Sequence, residues 1–132
     1  RTRAEGMIRE FDAFEPLPGM HINGRASLGE NIADLGGVVI GLDAFRKTEQ
    51  FRSGKLIAGM TPIQRYFLGY ALSWLYEQRR ENLARRLLSD VHSPPQWRVN
   101  GPLVNVPEFD EAFGVEPGDP MWRAPEDRVR IW

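Results

Sequence analysis

The stretch from Ser27 to Lys47 does most to limit what this chain can fold into. Ser27-Leu28-Gly29-Glu30 has the S-x-x-E spacing of a capping box, in which two side chains satisfy otherwise unpaired amides at a helix start. It predicts a helix from Ser27 to about Lys47. Apolar or small residues dominate it: Ile32, Ala33, Leu35, Val38, Val39 and Ile40. Two carboxylates interrupt them, Glu30 and Asp34, and a spacing of four puts both on one helix face. Such a pair on so apolar a helix needs a counter-charge, a metal or water. Position 38 is not basic, so Asp34 has no partner one turn on. A buried unpaired carboxylate is costly, and the expected partner therefore lies outside this chain. Gly36-Gly37 costs roughly 1 kcal/mol per glycine against alanine. That predicts close approach of another backbone or helix.

The remaining pattern is also helical. Met7, Ile8, Phe11 and Phe14 give a short helical period over Glu5 to Phe14. Glu15-Pro16-Leu17-Pro18-Gly19 reads as a turn, and Met20 to Arg25 as a short extended piece turning at Asn23-Gly24. Thr48 to Met60 reads as a loop. Thr61-Pro62-Ile63-Gln64 is a second capping box with proline at the first helical position. The helix behind it is long and aromatic, through Tyr66, Phe67, Tyr70, Trp74 and Tyr76. A further turn or two covers Leu83 to Leu88. Ser93 to Pro102 reads as irregular, Glu108 to Phe113 as a short helix, and Val129 to Trp132 as a tail apolar enough to dock. The fold class expected is mainly α, with long ordered loops.

Composition excludes several classes. The 132 residues are enough for one domain. The net charge of -1 gives no footprint for nucleic acid or an acidic membrane surface. No apolar run reaches the length of a membrane span. With no cysteine there is no disulfide or thiolate site, and the two histidines, His21 and His92, lie too far apart for an H-x-x-x-H pair. Arg1-Thr2-Arg3-Ala4-Glu5 has neither an initiator Met nor a signal-like apolar run, and reads as the middle of something longer.

Asn23-Gly24, then Leu28-Gly29-Glu30-Asn31-Ile32-Ala33-Asp34 and Gly36-Gly37, resemble the second zinc motif of the neprilysin family of metallopeptidases. Asp90-Val91-His92-Ser93-Pro94, Arg98-Val99-Asn100-Gly101-Pro102-Leu103, Asn105, Glu108-Phe109 and Ala112-Phe113 resemble that family's C-terminal signature. Trp132 fits as well. The resemblance runs from about Phe11 onward, and two motifs in the right order make it specific. It implies that residues 1–132 are a single partial domain, the C-terminal portion of a neprilysin-like (gluzincin) catalytic domain.

The resemblance also implies roles. In this family zinc is held by two histidines of an H-E-x-x-H helix and a later glutamate, an arrangement that leaves a position open for water. Glu30 matches that third ligand. Asp34 matches an aspartate that orients a zinc histidine. His92 matches the histidine that hydrogen-bonds the oxyanion, and Asp90 the acid that steadies it. Arg98 matches the arginine that holds the substrate's backbone carbonyl. Trp74 matches an aromatic lining the pocket for the residue after the cut. The H-E-x-x-H helix, its glutamate base and the family's asparagine–alanine strand are not in this sequence, and the usual Tyr-Arg-Pro-Glu stretch reads Gln78-Arg79-Arg80-Glu81. Each residue also has a plainer reading. Glu30 could be a capping glutamate, His92 a structural histidine, Arg98 an ordinary ion-pair partner and Trp74 core. The arginines at 79, 80, 85 and 86 would be a solvated face or contacts to the missing portion.

The expected function is part of a zinc-dependent endopeptidase acting on oligopeptides, with Zn2+ completed by histidines of the missing N-terminal part and the isolated chain inactive. The alternative is a stand-alone non-catalytic module that binds peptides or proteins. A third reading is one site assembled from two separately encoded chains. Neither nucleic acid nor a membrane span is expected, whereas self-association through the apolar stripe around Trp74 is. The lack of cysteine points to a bacterial member and says little about compartment; a periplasmic or extracellular place is favoured over a cytoplasmic one.

Overall fold

The computed structural model describes residues 3–131, so Trp132, which fits the family signature, lies outside the described residues. The described residues form seven α-helices: α1 (Arg3–Asp12), α2 (Leu28–Arg46), α3 (Glu49–Arg52), α4 (Pro62–Ser73), α5 (Arg80–Ser89), α6 (Pro95–Leu103) and α7 (Pro107–Phe113). A 3-10 turn follows at Pro125–Asp127. Extended pairing among the described residues is limited to isolated bridges, Leu17 with Met20 and Ile57 with Met60. The mainly α expectation holds.

Helix α2 is the axis of the fold and packs against α1, α3, α4 and α6. Leu35, Val38 and Leu42 point from it into a core shared with Met7 and Phe11 of α1, Phe67 of α4, Leu103 of α6, and Val106 and Val129 further on. Phe11 sets the depth of the α1–α6 contact. A Cβ on Gly101 would meet its ring at 2.4 Å, so only glycine lets α6 come this near.

The Thr61 capping box forms in full: Gln64 N–H donates to Thr61 Oγ1, and Thr61 N–H to Gln64 Oε1. The Ser27 box does not. Ser27 sits at φ -91°, ψ 2°, already wound into a turn, and its hydroxyl donates to Asn23 O while accepting from Asn31 Nδ2. Capping moves four residues upstream, where Asn23 Oδ1 accepts from Ala26 N–H. Glu30 is thereby released from its capping role.

Other expectations are corrected. The Thr48 to Met60 loop contains α3, capped by the Thr48 hydroxyl. Helix α4 stops at Ser73, short of Tyr76, where its last turns tighten to i→i+3 bonds, Trp74 N–H to Ala71 O and Leu75 N–H to Leu72 O. The segment read as irregular is largely α6, because Pro95 suits the first helical turn and Pro102 falls only in the last. On α2 Gly36 is buried, but a close approach is found at Gly41 and not at Gly37. A Cβ at Gly37 would meet nothing within 4 Å, whereas at Gly41 it would lie 2.5 Å from the Tyr66 hydroxyl. That hydroxyl donates to Val38 O at 2.7 Å.

Candidate active site

Three segments distant in sequence converge at the first turns of α2. Asp34 and Glu30 come from α2, Arg98 from α6, and Asp90 and His92 from the turn between α5 and α6. The α2–α6 packing sets the distances. Asn31, one residue past Glu30 and fully buried, accepts from the Ser93 hydroxyl at 2.9 Å and so ties that turn to α2.

Arg98 is the hub. Its Nε donates to Asp34 Oδ2 and its Nη2 to Asp34 Oδ1, both at 2.7 Å, a bidentate pair. This corrects the expectation that the Asp34 partner lies outside the chain. The partner is 64 residues away in sequence, where helical spacing cannot find it. Asp34, first through its hydrogen bonds, raises the Arg98 pKa against the opposing effect of burial. Glu30 is held far more loosely. Its Oε2 lies 3.4 Å from Arg98 Nη2 and 3.3 Å from His92 Nε2. Exposure follows the same order: the side chains of Asp34 and Arg98 are 9% and 14% exposed, those of Glu30 and His92 40% and 41%.

His92 lies between two carboxylates. Its Nδ1 is 2.7 Å from Asp90 Oδ1, and its backbone N–H donates to the same oxygen at 2.9 Å. An ionised Asp90 can only accept, so Nδ1 carries the proton and Nε2 is the nitrogen presented to Glu30. That backbone N–H bond is the largest influence holding the Asp90 carboxyl down at about 2, against burial, with the His92 ring and Arg86 assisting. Arg86 Nε donates to Asp90 Oδ2 at 2.8 Å, and Arg86 Nη1 to the Tyr76 hydroxyl at 2.7 Å. Arg86, read as part of a solvated face, belongs to this cluster. Its i,i+4 spacing to Asp90 is the signal that could have found it. Arg79, Arg80 and Arg85 are exposed, as is His21.

Trp74 also reaches the cluster, but through Arg98. The guanidinium carbon lies 4.1 Å from the indole centroid. Tyr70, one turn earlier, donates its hydroxyl to Arg98 O at 2.7 Å. Helical spacing from Trp74 marks Tyr70, yet nothing in the sequence pattern gives it this task.

Among the described residues no group of three His, Asp or Glu side chains could hold a metal ion. The donor chemistry fits one edge of such a site. Glu30 is half-exposed and held only by long contacts, so its carboxylate can turn to a cation, whereas Asp34 is committed to Arg98 on both oxygens.

Glu30, Asp34, Arg98, Asp90 and His92 thus form one contiguous patch of this chain. The family model that matches the chain, over residues 1–129, is Peptidase family M13, and this chain belongs to that family. It is 36% identical over 130 residues to the neutral endopeptidase of Lactobacillus helveticus, covering 98% of this chain and 18% of the relative. With endothelin-converting enzyme 1 of Mus musculus it shares 33% identity over 135 residues, 100% of this chain and 17% of the relative. The zinc metalloprotease ZMP1 of Mycobacterium tuberculosis, solved in an open state, superimposes with a TM-score of 0.87 at 36% identity, over 98% of this chain and 21% of that one. The chain thus spans under a fifth of the length of these curated relatives. The resemblance to the neprilysin family holds, and with it the fold class.

Proposed function

We propose that this chain is one part of a zinc-dependent endopeptidase that hydrolyses oligopeptides. The observation that carries the reading is the convergence of Glu30, Asp34, Arg98, His92 and Asp90 on one half-exposed patch. In this reading residues 1–132 are a partial catalytic domain, and the other metal donors and the general base come from outside it. Glu30 is the donor this chain offers to zinc. Bound there, zinc would polarise a peptide carbonyl and acidify a water molecule.

The remaining work belongs to the chain's own side chains. Asp34 takes two donors of Arg98, leaving Nη1 to hold a substrate backbone carbonyl. Each Asp34 oxygen keeps a second lone pair, enough to orient a histidine supplied from elsewhere. Asp90 fixes the His92 ring so that Nε2 faces, and can hydrogen-bond, the oxyanion that forms as the carbonyl is attacked. The same reading puts the protein in the periplasm or outside the cell. No helix of the described residues is long and apolar enough to cross a membrane.

A chimera tests this: the matching residues of the Lactobacillus helveticus neutral endopeptidase are replaced by this chain. It should cleave a quenched oligopeptide in a chelator-sensitive way, and Glu30→Ala should lower kcat/KM by more than about a hundredfold. Undiminished activity in Glu30→Ala would sink the assignment. Zinc-dependent cleavage by the isolated 132 residues would sink the view of it as a part.

A second reading, a non-catalytic binding module, is favoured by one observation. Leu72, Leu75, Tyr76 and Leu88 are exposed along α4, its exit and α5. Such a patch marks a surface that is covered in use. The isolated chain should then self-associate in sedimentation, with Leu75→Asp weakening the association. A monomer at every concentration removes the motive for this reading.

A further inference from the structure

In an α-helix each carbonyl accepts from the amide four residues on. Arg98 in α6 is four residues before Pro102, which has no N–H, so the Arg98 carbonyl loses its helical donor. An orphaned carbonyl in a packed helix needs another partner. The Tyr70 hydroxyl supplies it at 2.7 Å. Burial first, and then the Asp34 charge, push the Tyr70 phenol up, so it stays a donor across the working pH range.

Trp74 lies one turn beyond Tyr70, at the end of α4, so the two side chains leave the same face. One holds the backbone of Arg98 and the other lies against its guanidinium, 4.1 Å from the ring centroid. Asp34 holds the opposite edge. A guanidinium over an indole face is attracted to it and cannot tilt freely. The arginine is therefore gripped at its carbonyl, its plane and two of its nitrogens.

We propose that Tyr70, made necessary by Pro102, and Trp74 are positioning residues that aim Arg98 at the substrate carbonyl. Trp74 then acts through its π face on Arg98 rather than as an apolar wall. This rests on the role proposed above for Arg98. It goes beyond that role by naming what fixes the arginine and why a proline stands inside α6.

The readout is the Arg98 Nε–H signal in NMR of the isolated chain, which needs neither zinc nor activity. Trp74→Leu keeps an apolar wall and removes the π face, and should speed Nε–H exchange about tenfold, a loss within the cation–π range. Trp74→Phe keeps a π face and should stay within about threefold. Tyr70→Phe should speed exchange about tenfold as well, as loss of one hydrogen bond allows. In a Pro102→Ala background, where the residue at 102 regains an N–H for the Arg98 carbonyl, Tyr70→Phe should have under about a third of that effect.

An unchanged Arg98 signal in Trp74→Leu overturns the proposal, and so do additive effects of Tyr70→Phe and Pro102→Ala. Should Pro102→Ala fail to fold, the contrast of Leu with Phe at 74 decides. Arg98→Ala in the chimera separates the two levels. An unchanged kcat/KM there sinks the role given to Arg98 and this proposal with it. A fallen kcat/KM with an undisturbed Nε–H in Trp74→Leu sinks this proposal alone.

Discussion

Two carboxylate–arginine clusters of this molecule invite comparison, and only one of the two is closed. In the first, Glu10 of α1 accepts from Asn105 Nδ2 at 3.0 Å and from Arg123 Nη1 at 2.5 Å. Asn105 Oδ1 in turn accepts from Val129 N–H at 2.7 Å and from Arg123. The Glu10 side chain is 1% exposed. In the second, Asp34 and Arg98 are closed against each other, but Glu30 and His92 face outward at distances too long for strong bonds. Both clusters are chemically alike, a carboxylate, an arginine and supporting amides. They differ in how far their donors and acceptors are paired. A saturated cluster can hold the chain together and do little else. An unsaturated one keeps donors and acceptors available to something that arrives later.

Alanine substitution should grade the two by stability. Glu10→Ala strands Arg123 and Asn105 and should cost about 3 kcal/mol. Asp34→Ala strands a partly exposed Arg98 and should cost about 2 kcal/mol. Glu30→Ala should cost under about 1 kcal/mol, since its pairs are long and solvent-screened. Urea unfolding of the isolated chain measures all three. A Glu30→Ala loss as large as that of Glu10→Ala would erase the distinction between the clusters.

A smaller effect separates them by sign with pH. The Asp90 carboxyl, beside the open cluster, is held down at about 2 from 3.8, chiefly by the His92 amide. A depressed acid adds stability above its unfolded pKa and loses it as pH falls through the folded one. Asp90→Asn should therefore flatten the stability loss between pH 3.8 and about 2, by well under about 1 kcal/mol because the pairing is solvent-screened. Glu10 is pushed the other way, its pKa raised above 4.5 by burial, which outweighs Arg123 and Asn105. The fold then binds that proton more tightly than the unfolded chain, so stability declines as pH rises past 4.5. Glu10→Gln should abolish that decline in urea midpoints followed across pH. A decline that survives the substitution would assign it to other groups.

How much of this was legible depends on distance along the chain. Helix α4 begins where Thr61-Pro62-Ile63-Gln64 says it does, because a capping box is closed within four residues. Helix α7 is written in Pro107 and the apolar spacing after it. At Ser27 the same local rule fails, because Asn31 takes the hydroxyl and Asn23 the capping task. Helix α6 hides behind Pro95, Gly101 and Pro102, residues that usually break helices. Here they are accommodated by a first-turn position, by the Phe11 ring and by Tyr70. The six candidate residues stand out as a pattern matched to a family, and the structure brings all six together. Their pairings did not stand out. Asp34 finds Arg98 across 64 positions, and no local period encodes a contact of that reach.

The closed cluster also sets an order of events. Asn105 and Val129 anchor Glu10, and Arg3 Nη1 donates to Ile131 O at 2.5 Å. During synthesis α1 leaves the ribosome more than ninety residues before Asn105, the first group that hydrogen-bonds its buried acid. Until Asn105 and Arg123 emerge, α1 can dock on α2 only with its buried acid unpaired. The site around Arg98 can be assembled before then, because Asp34, Tyr70 and Asp90 precede Arg98 in the chain. The ribosome thus delivers the open cluster first and the fastening last.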